Sequence, residues 1–229
     1  TLPLSFHLLG TMLAGIPASL LMKRVGRRYG FMIGTGIGAS GAAAATIAII
    51  YSNFVFFCMS IFLLGILSGF SQLYRFTAAD VARPEFRTKA VSLVIFGGIL
   101  AGFIGPTIAA KAKDLIADAP FAGSYLFVIM FHVVIVAILF MIRLPQPTVE
   151  EQTGESRPWR EIFSQPKFIV AVLTSMVGYG VMAMIMTATP LAMTVGSGHH
   201  FSDAAFVIQW HVVGMFAPSF FTGSLIHRF

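Results

Sequence analysis

Long apolar stretches constrain the fold of this chain more than any other feature of its sequence. A helix needs about 20 apolar residues to cross the hydrocarbon core of a membrane. Seven stretches reach that length: residues 1–22, 30–51, 53–75, 90–110, 123–142, 168–193 and 204–226. Lipid offers no hydrogen-bond partner to a free backbone N–H or C=O, so each stretch is expected to be a helix. The sequence therefore predicts an all-α, polytopic membrane protein.

Charge is scarce in this sequence and unevenly placed. Only 10% of the 229 residues are charged, whereas a soluble domain carries roughly 25%. If seven helices cross the membrane in turn, one side holds every lysine and arginine except Lys111 and Lys113. Loops rich in cations stay in the cytoplasm. The loops at residues 23–29, 76–89 and 144–167 are therefore predicted to be cytoplasmic, with the protein in the plasma (inner) membrane.

The two ends of the chain are similar to each other. Residues 7–24 (HLLGTMLAGIPASLLMKR) align with residues 211–228 (HVVGMFAPSFFTGSLIHR). Both segments end at a predicted cytoplasmic loop, and halves related by a parallel repeat are one architecture of secondary transporters. The repeat predicts that the chain holds helices two to eight of twelve. The expected domains are an N-terminal half without its first helix at 1–143, a cytoplasmic linker with a short helix at 144–167, and the start of the C-terminal half at 168–229.

The loop after the first stretch carries a known motif. SLLMKRVGRR, residues 19–28, resembles the signature between the second and third helices of the major facilitator superfamily of secondary transporters. The matching residues are Ser19, Arg24, Gly26, Arg27 and Arg28. Lys23 stands where that family usually has aspartate. The resemblance implies an MFS-type helical bundle in which this loop helps to latch the two halves together on the cytoplasmic side.

Two more segments are similar to the same family. Residues 65–90 look like the end of its fourth helix and the loop that follows. The charges crowded there predict that Arg75, Asp80 and Arg87 extend the latch, the alternative being a snorkelling arginine and an aspartate at a helix end. Residues 97–110 resemble the glycine-rich run of the family's exporters. That resemblance slightly favours export over import.

Prolines in two of the apolar stretches are candidates for helix bends. Gly105 and Pro106 are predicted to bend the helix that holds them, since proline removes a backbone hydrogen bond. The alternative is an ordinary proline that the helix tolerates without bending. Pro190 follows Gly178 and Gly180 in the sixth stretch, and interrupted helices of that kind mark binding sites in transporters. Gly105, Pro106 and Pro190 are therefore the predicted helix bends.

Three histidines lie inside apolar stretches. Histidine titrates near neutral pH, which suits proton coupling, and an ionisable residue in a membrane span is a functional hypothesis by default. His132 stands alone in an apolar run and is interpreted as a neutral residue bonded to a carbonyl, Gln or Ser. His7 and His211 occupy equivalent positions of the repeat and are the candidates for coupling or gating. Ile61 stands where proton antiporters of the family carry arginine, which counts against that class.

The sixth and seventh stretches hold the richest set of polar side chains. The resemblance places the sixth stretch on the central cavity of the family, and Tyr179, Thr187 and Gln209 join His7 and His211 as candidates for binding or coupling. The sixth stretch also holds four methionines: Met182, Met184, Met186 and Met193. They either form an adaptable apolar wall or face lipid. A bulky, partly apolar solute suits such a wall.

These features predict a secondary transporter that moves a small, partly apolar solute by alternating access, coupled to an ion or a proton. The alternative from another class is a seven-helix receptor or sensor, which the repeat counts against. An enzyme is not expected, because the spans hold no acid–base cluster and Cys58 is the single cysteine. The expected partners are the solute, a coupling proton and membrane lipid, without cofactor, metal or nucleic acid. The full-length protein is expected to be a monomer.

Overall fold

Helices make up the regular secondary structure in the described part of the chain. The computed structural model describes residues 2–142, 144, 158–218 and 221. The α-helices in those ranges are α1 Leu2–Val25, α2 Arg27–Ile50, α3 Phe54–Ser71, α4 Tyr74–Val81, α5 Arg87–Ala112, α6 Ala122–Met141, α7 Trp159–Phe163, α8 Pro166–Leu191 and α9 Phe201–Phe216. A 3₁₀ turn, Pro84–Phe86, precedes α5, and a π-helical turn, Ala192–Gly196, follows α8. The predicted all-α class is confirmed.

Helical segments long and apolar enough to cross a membrane match the first six predicted stretches. Within the described ranges they are Leu2–Val25, Arg27–Ile50, Phe54–Val81, Pro84–Ala112, Ala122–Met141 and Pro166–Gly196. Some extend beyond the apolar run, because a helix continues into charged residues where the hydrocarbon ends. The seventh stretch, 204–226, overlaps α9. Residues 219, 220 and 222–226 of that stretch lie outside the described residues, as do Arg143, Arg157 and Arg228.

The predicted linker at 144–167 is described only at its two ends. Its second end contains α7, Trp159–Phe163, which confirms the short helix expected there. Residues 145–157 lie outside the described part of the chain. The division into two halves and a linker therefore stays a prediction.

Short turns join α1, α2 and α3. Gly26 separates α1 from α2 with a φ of 87°, a conformation that glycine adopts without steric cost. Its amide still donates to the carbonyl of Met22 at 3.0 Å. Asn53 caps α3, because its side-chain oxygen accepts a hydrogen bond from the N–H of Phe56 at 2.9 Å. These turns make α1, α2 and α3 run in alternating directions.

Glycines bring α1 and α3 into backbone contact. A Cβ on Gly10 would meet the backbone of Phe62, and one on Gly65 would fall on the carbonyl of His7. Thr11 Oγ1 lies 3.0 Å from the carbonyl oxygen of Gly65. Helices in lipid associate through van der Waals packing and interhelical hydrogen bonds, because lipid is as apolar as their side chains. The close approach at these glycines therefore holds α1 against α3.

The same arrangement packs α2 between α3 and α6. Gly34 receives the ring of Phe70, and Gly38 receives Leu67 from α3 and His132 from α6. A buried apolar cluster unites these helices with α1: Ala18, Met22, Phe31, Phe70 and Leu139. The four helices α1, α2, α3 and α6 therefore form one packed bundle.

A second contact joins α5 to α9, across the two predicted halves. Side chains of α9 occupy the spaces that glycines leave on α5, with Phe216 at Gly98 and Val212 at Gly102. In contrast, α8 has no buried residue within the described part of the chain. The α5–α9 contact therefore joins the predicted halves, while the described helices leave the side chains of α8 largely uncovered.

We expect Gly10→Ala to destabilise the complete protein and Gly15→Ala, on the same helix, to leave its stability unchanged or higher. The new methyl at Gly10 meets backbone that cannot move aside, whereas nothing lies within 4 Å of a Cβ at Gly15. Overpacking of this kind costs about 1–3 kcal/mol. Thermal unfolding of the detergent-purified variants measures the difference. Equal melting temperatures for the two variants would contradict the proposed packing of α1 on α3.

Candidate functional site

The cytoplasmic latch predicted from the sequence contains one ion pair that joins two helices. A terminal nitrogen of Arg27, at the start of α2, lies 2.5 Å from Asp80 Oδ2 near the end of α4. The two side chains are 29% and 56% exposed. Exposed pairs of this kind contribute at most about 1 kcal/mol, because solvent screens them. The pair therefore orients the loop at 23–29 against α4 more than it stabilises the fold.

Arg28 contacts a different helix from its neighbour Arg27. Its Nε donates to the carbonyl of Leu139 at 2.8 Å, and a terminal nitrogen donates to the carbonyl of Phe140 at 2.7 Å. The guanidinium also lies 5.6 Å from the centroid of the Phe140 ring. The last carbonyls of a helix have no intrahelical donor and carry partial negative charge. Arg28 therefore caps α6, a role that the motif alone does not reveal.

The other candidates for the latch lie apart from this pair. Ser19 Oγ donates to the carbonyl of Ile16 in its own helix at 2.8 Å. The guanidinium of Arg75 lies 5.0 Å from the Phe76 ring centroid, and both Arg24 and Arg87 are exposed. Among the described residues, none of these three arginines forms an ion pair with Asp80. The wider charge network stays a prediction.

The three membrane histidines have different surroundings. His7 Nε2 lies 3.3 Å from Ser68 Oγ of α3, so it is tied into the α1–α3 contact. The Nδ1 of His132 lies 2.5 Å from the carbonyl oxygen of Val128 in its own helix, and the residue is buried. The Nε2 of His211 is buried without a hydrogen-bond partner in the described part of the chain. Coupling roles for His7 and His211 stay predictions.

The candidates on α8 differ in exposure, since Thr187 and Pro190 are partly buried and Tyr179 is exposed. Tyr179 is 52% exposed. Thr187 Oγ1 donates to the carbonyl of Ala183 at 2.6 Å, so its hydrogen is already used within the helix. Pro190 lies in the last turn of α8, directly before the π-helical turn Ala192–Gly196. The regular α-helix thus ends beside Pro190, whereas α5 continues through Gly105 and Pro106 to Ala112.

Gln209 lies in the contact between α5 and α9. Its side-chain nitrogen donates to Thr107 Oγ1 at 2.8 Å and to the carbonyl of Phe103 at 3.1 Å. Thr107 in turn donates to the same carbonyl at 2.7 Å. The ring of Trp210, the next residue, meets Phe103 edge to face at 6.1 Å between centroids. The sequence signals Gln209 and Thr107 only as polar residues in apolar helices, and it does not reveal that they pair.

This pairing is a polar clamp between the two predicted halves. Hydrogen bonds between membrane helices contribute on average about 0.6 kcal/mol and at most about 1.7 kcal/mol. The clamp is therefore strong enough to set the register of α9 on α5 and weak enough to break and re-form.

Comparison with known proteins gives one family and several relatives. A model of the Major Facilitator Superfamily matches residues 1–229. The riboflavin transporter RfnT of Brucella anthropi is 41% identical over all of this chain and 58% of its own length. Two uncharacterized MFS-type transporters of Bacillus subtilis also match: YdeG, 25% identical over 99% of this chain and 56% of its own length, and YddS, 24% identical over 100% and 56%. No solved structure matches.

We expect Gln209→Leu and Thr107→Val to be energetically coupled. Each change removes one partner of the same hydrogen bond, so the double variant should lose less stability than the two single variants together. The coupling should be about 0.6 kcal/mol, measured as a double-mutant cycle by denaturant unfolding of the complete protein. Thr107→Ser, which keeps the hydroxyl, is the matched control. Strictly additive losses would show that the clamp does not form.

Proposed function

The chain belongs to the Major Facilitator Superfamily, and on that premise we propose that the complete protein is a secondary transporter working by alternating access. The observation that carries the proposal is the 41% identity to a riboflavin transporter over the whole chain. The chain spans less than three fifths of the length of that relative. Transport is therefore proposed for the complete protein.

We propose riboflavin, or a solute with a similar flat ring and polar chain, as the first substrate to test. A ring of this kind needs apolar and aromatic surface, and its polyol chain needs hydrogen-bonding groups. The side chains of α8 supply the first need, since Tyr179 is 52% and Met184 64% exposed. The proposal agrees with the partly apolar solute expected from the sequence.

Two contacts support a mechanism in which the halves rock against each other. The Arg27–Asp80 pair is half exposed and cytoplasmic by the predicted orientation, and ion pairs of that kind break at little cost. The Gln209 clamp joins α9 to α5 through one side chain, which bonds to the Thr107 hydroxyl and to the backbone carbonyl of Phe103. Bending beside Pro190, where α8 gives way to a π-helical turn, would let one end of α8 move during the same change. The receptor alternative has no support from the family match.

Flux into proteoliposomes that hold the complete protein tests the function. We expect riboflavin to cross faster than in empty vesicles and excess unlabelled riboflavin to suppress the signal. Tyr179→Ala should raise the KM about fivefold, because an aromatic pair contributes on the order of 1 kcal/mol, whereas Tyr179→Phe should retain the wild-type KM. Export, which the resemblance of residues 97–110 to exporters favours, is measured by placing riboflavin inside the vesicles and following its release. Flux equal to empty vesicles in both directions would reject riboflavin as the solute.

His211→Gln should separate coupling from binding. If His211 carries the coupling proton, an imposed pH gradient accelerates wild-type flux but not that of the variant, while insertion in the membrane is unchanged. The matched control is His199→Gln, an exposed histidine between α8 and α9. Wild-type flux that stays constant from about pH 5.5 to about pH 8, where histidine titrates, would reject the role.

A further inference from the structure

A small cavity lies between the cytoplasmic end of α1, the start of α2 and α4. It has a volume of about 270 Å³. Its lining residues are Ser19, Met22, Lys23, Arg27, Leu73, Phe76 and Thr77. Because α1 ends in a cationic loop predicted to be cytoplasmic, the cavity lies at the boundary between the membrane and the cytoplasm.

The charges around this cavity are not balanced. Lys23 and Arg27 both line it, and Asp80 pairs with one terminal nitrogen of Arg27. Lys23 forms no ion pair among the described residues. Two cations therefore face the cavity, and Asp80 pairs with only one of them. The guanidinium of Arg27 has further N–H groups that can donate to a ligand. This arrangement attracts an anion.

The two hydroxyls in the lining act only as acceptors. Ser19 donates its hydrogen to the carbonyl of Ile16, and Thr77 donates to that of Leu73. The donors for an anion are therefore the ammonium of Lys23 and the guanidinium of Arg27. Both groups form strong, charge-assisted hydrogen bonds with phosphate oxygens.

Apolar side chains form the rest of the wall. Met22 is buried in the helix bundle, and Phe76 is 55% exposed, so the apolar surface reaches from the cavity to the outside of the bundle. A free phosphate ion has no apolar group that could pack against such a surface. A phospholipid has such groups, because its glycerol and acyl chains adjoin its phosphate.

We propose that this cavity binds the phosphate of an anionic phospholipid from the cytoplasmic leaflet. That leaflet carries the anionic lipids, and basic pockets between membrane helices on this side suit their headgroups. The substitution of lysine for the family's usual aspartate at Lys23 is what makes the cavity cationic. The site needs the predicted orientation of the helices but does not depend on which solute is transported.

Native mass spectrometry of the complete protein in detergent tests the proposal. The probes are phosphatidylglycerol and phosphatidylcholine with identical acyl chains. Wild type should prefer phosphatidylglycerol, and Lys23→Gln should weaken that binding about fivefold, since each basic residue near the surface contributes about 1 kcal/mol. Lys23→Asp should abolish the preference and Lys23→Arg should keep it. Lys89→Gln, which removes a cation from the same predicted side but outside the cavity, should change nothing.

Two results from lipid binding alone would overturn the proposal. One is equal binding of the two lipids to the wild-type protein, a measurement that does not depend on whether any variant folds. The other is a loss with Lys89→Gln as large as with Lys23→Gln, which would indicate a diffuse surface charge. Inorganic phosphate serves as a competitor, and its failure to displace phosphatidylglycerol is the expected result. If inorganic phosphate displaces phosphatidylglycerol from wild type but not from Lys23→Gln, the site binds free phosphate instead of lipid.

Discussion

A backbone in lipid must satisfy its own hydrogen bonds, and the rest of this structure depends on that constraint. Side-chain hydroxyls follow the same rule. Many donate to a carbonyl four residues earlier in their own helix: Thr35, Thr46, Ser60, Ser71, Thr77, Thr107, Thr187 and Thr194. A threonine in an apolar helix is therefore no sign of a binding site by itself. A polar contact to another helix, as Gln209 makes, is far more informative.

Hydropathy and the placement of cations predict the helices and their order, because both reflect the low polarity of the hydrocarbon core. Charge is expelled from hydrocarbon, so an apolar run ending at a cluster of cations marks one crossing. The helix ends are less predictable. For example, α4 continues to Val81 and α5 begins at Arg87, since a peptide chain stays helical at the membrane surface after its side chains become polar. Glycine spacing likewise predicts close packing, but not which helix approaches.

Partners of individual polar residues depend on that packing and could not be predicted. The motif groups Arg27 with Arg28, yet one bonds to α4 and the other to the end of α6. Adjacent residues on a helix point about 100° apart, so a shared motif does not imply a shared partner. Similarly, the sequence identifies Gln209 as unusual without showing that α5 lies opposite. The candidate residues were thus recognisable by type, while their contacts required the arrangement of helices far apart in the chain.

The α1–α3 contact and the α5–α9 contact differ in a way that suits a transporter. Between α1 and α3, glycine backbone meets backbone, as at Gly65 and His7, and such a contact cannot slide without steric clash. Between α5 and α9, flexible side chains fill the glycine spaces, and Gln209 supplies polar bonds that can re-form. Relative motion therefore costs less at the α5–α9 contact, which joins the predicted halves, than at the α1–α3 contact. If the complete protein rocks about a central site, we therefore expect the α5–α9 contact to rearrange and the α1–α3 contact to persist.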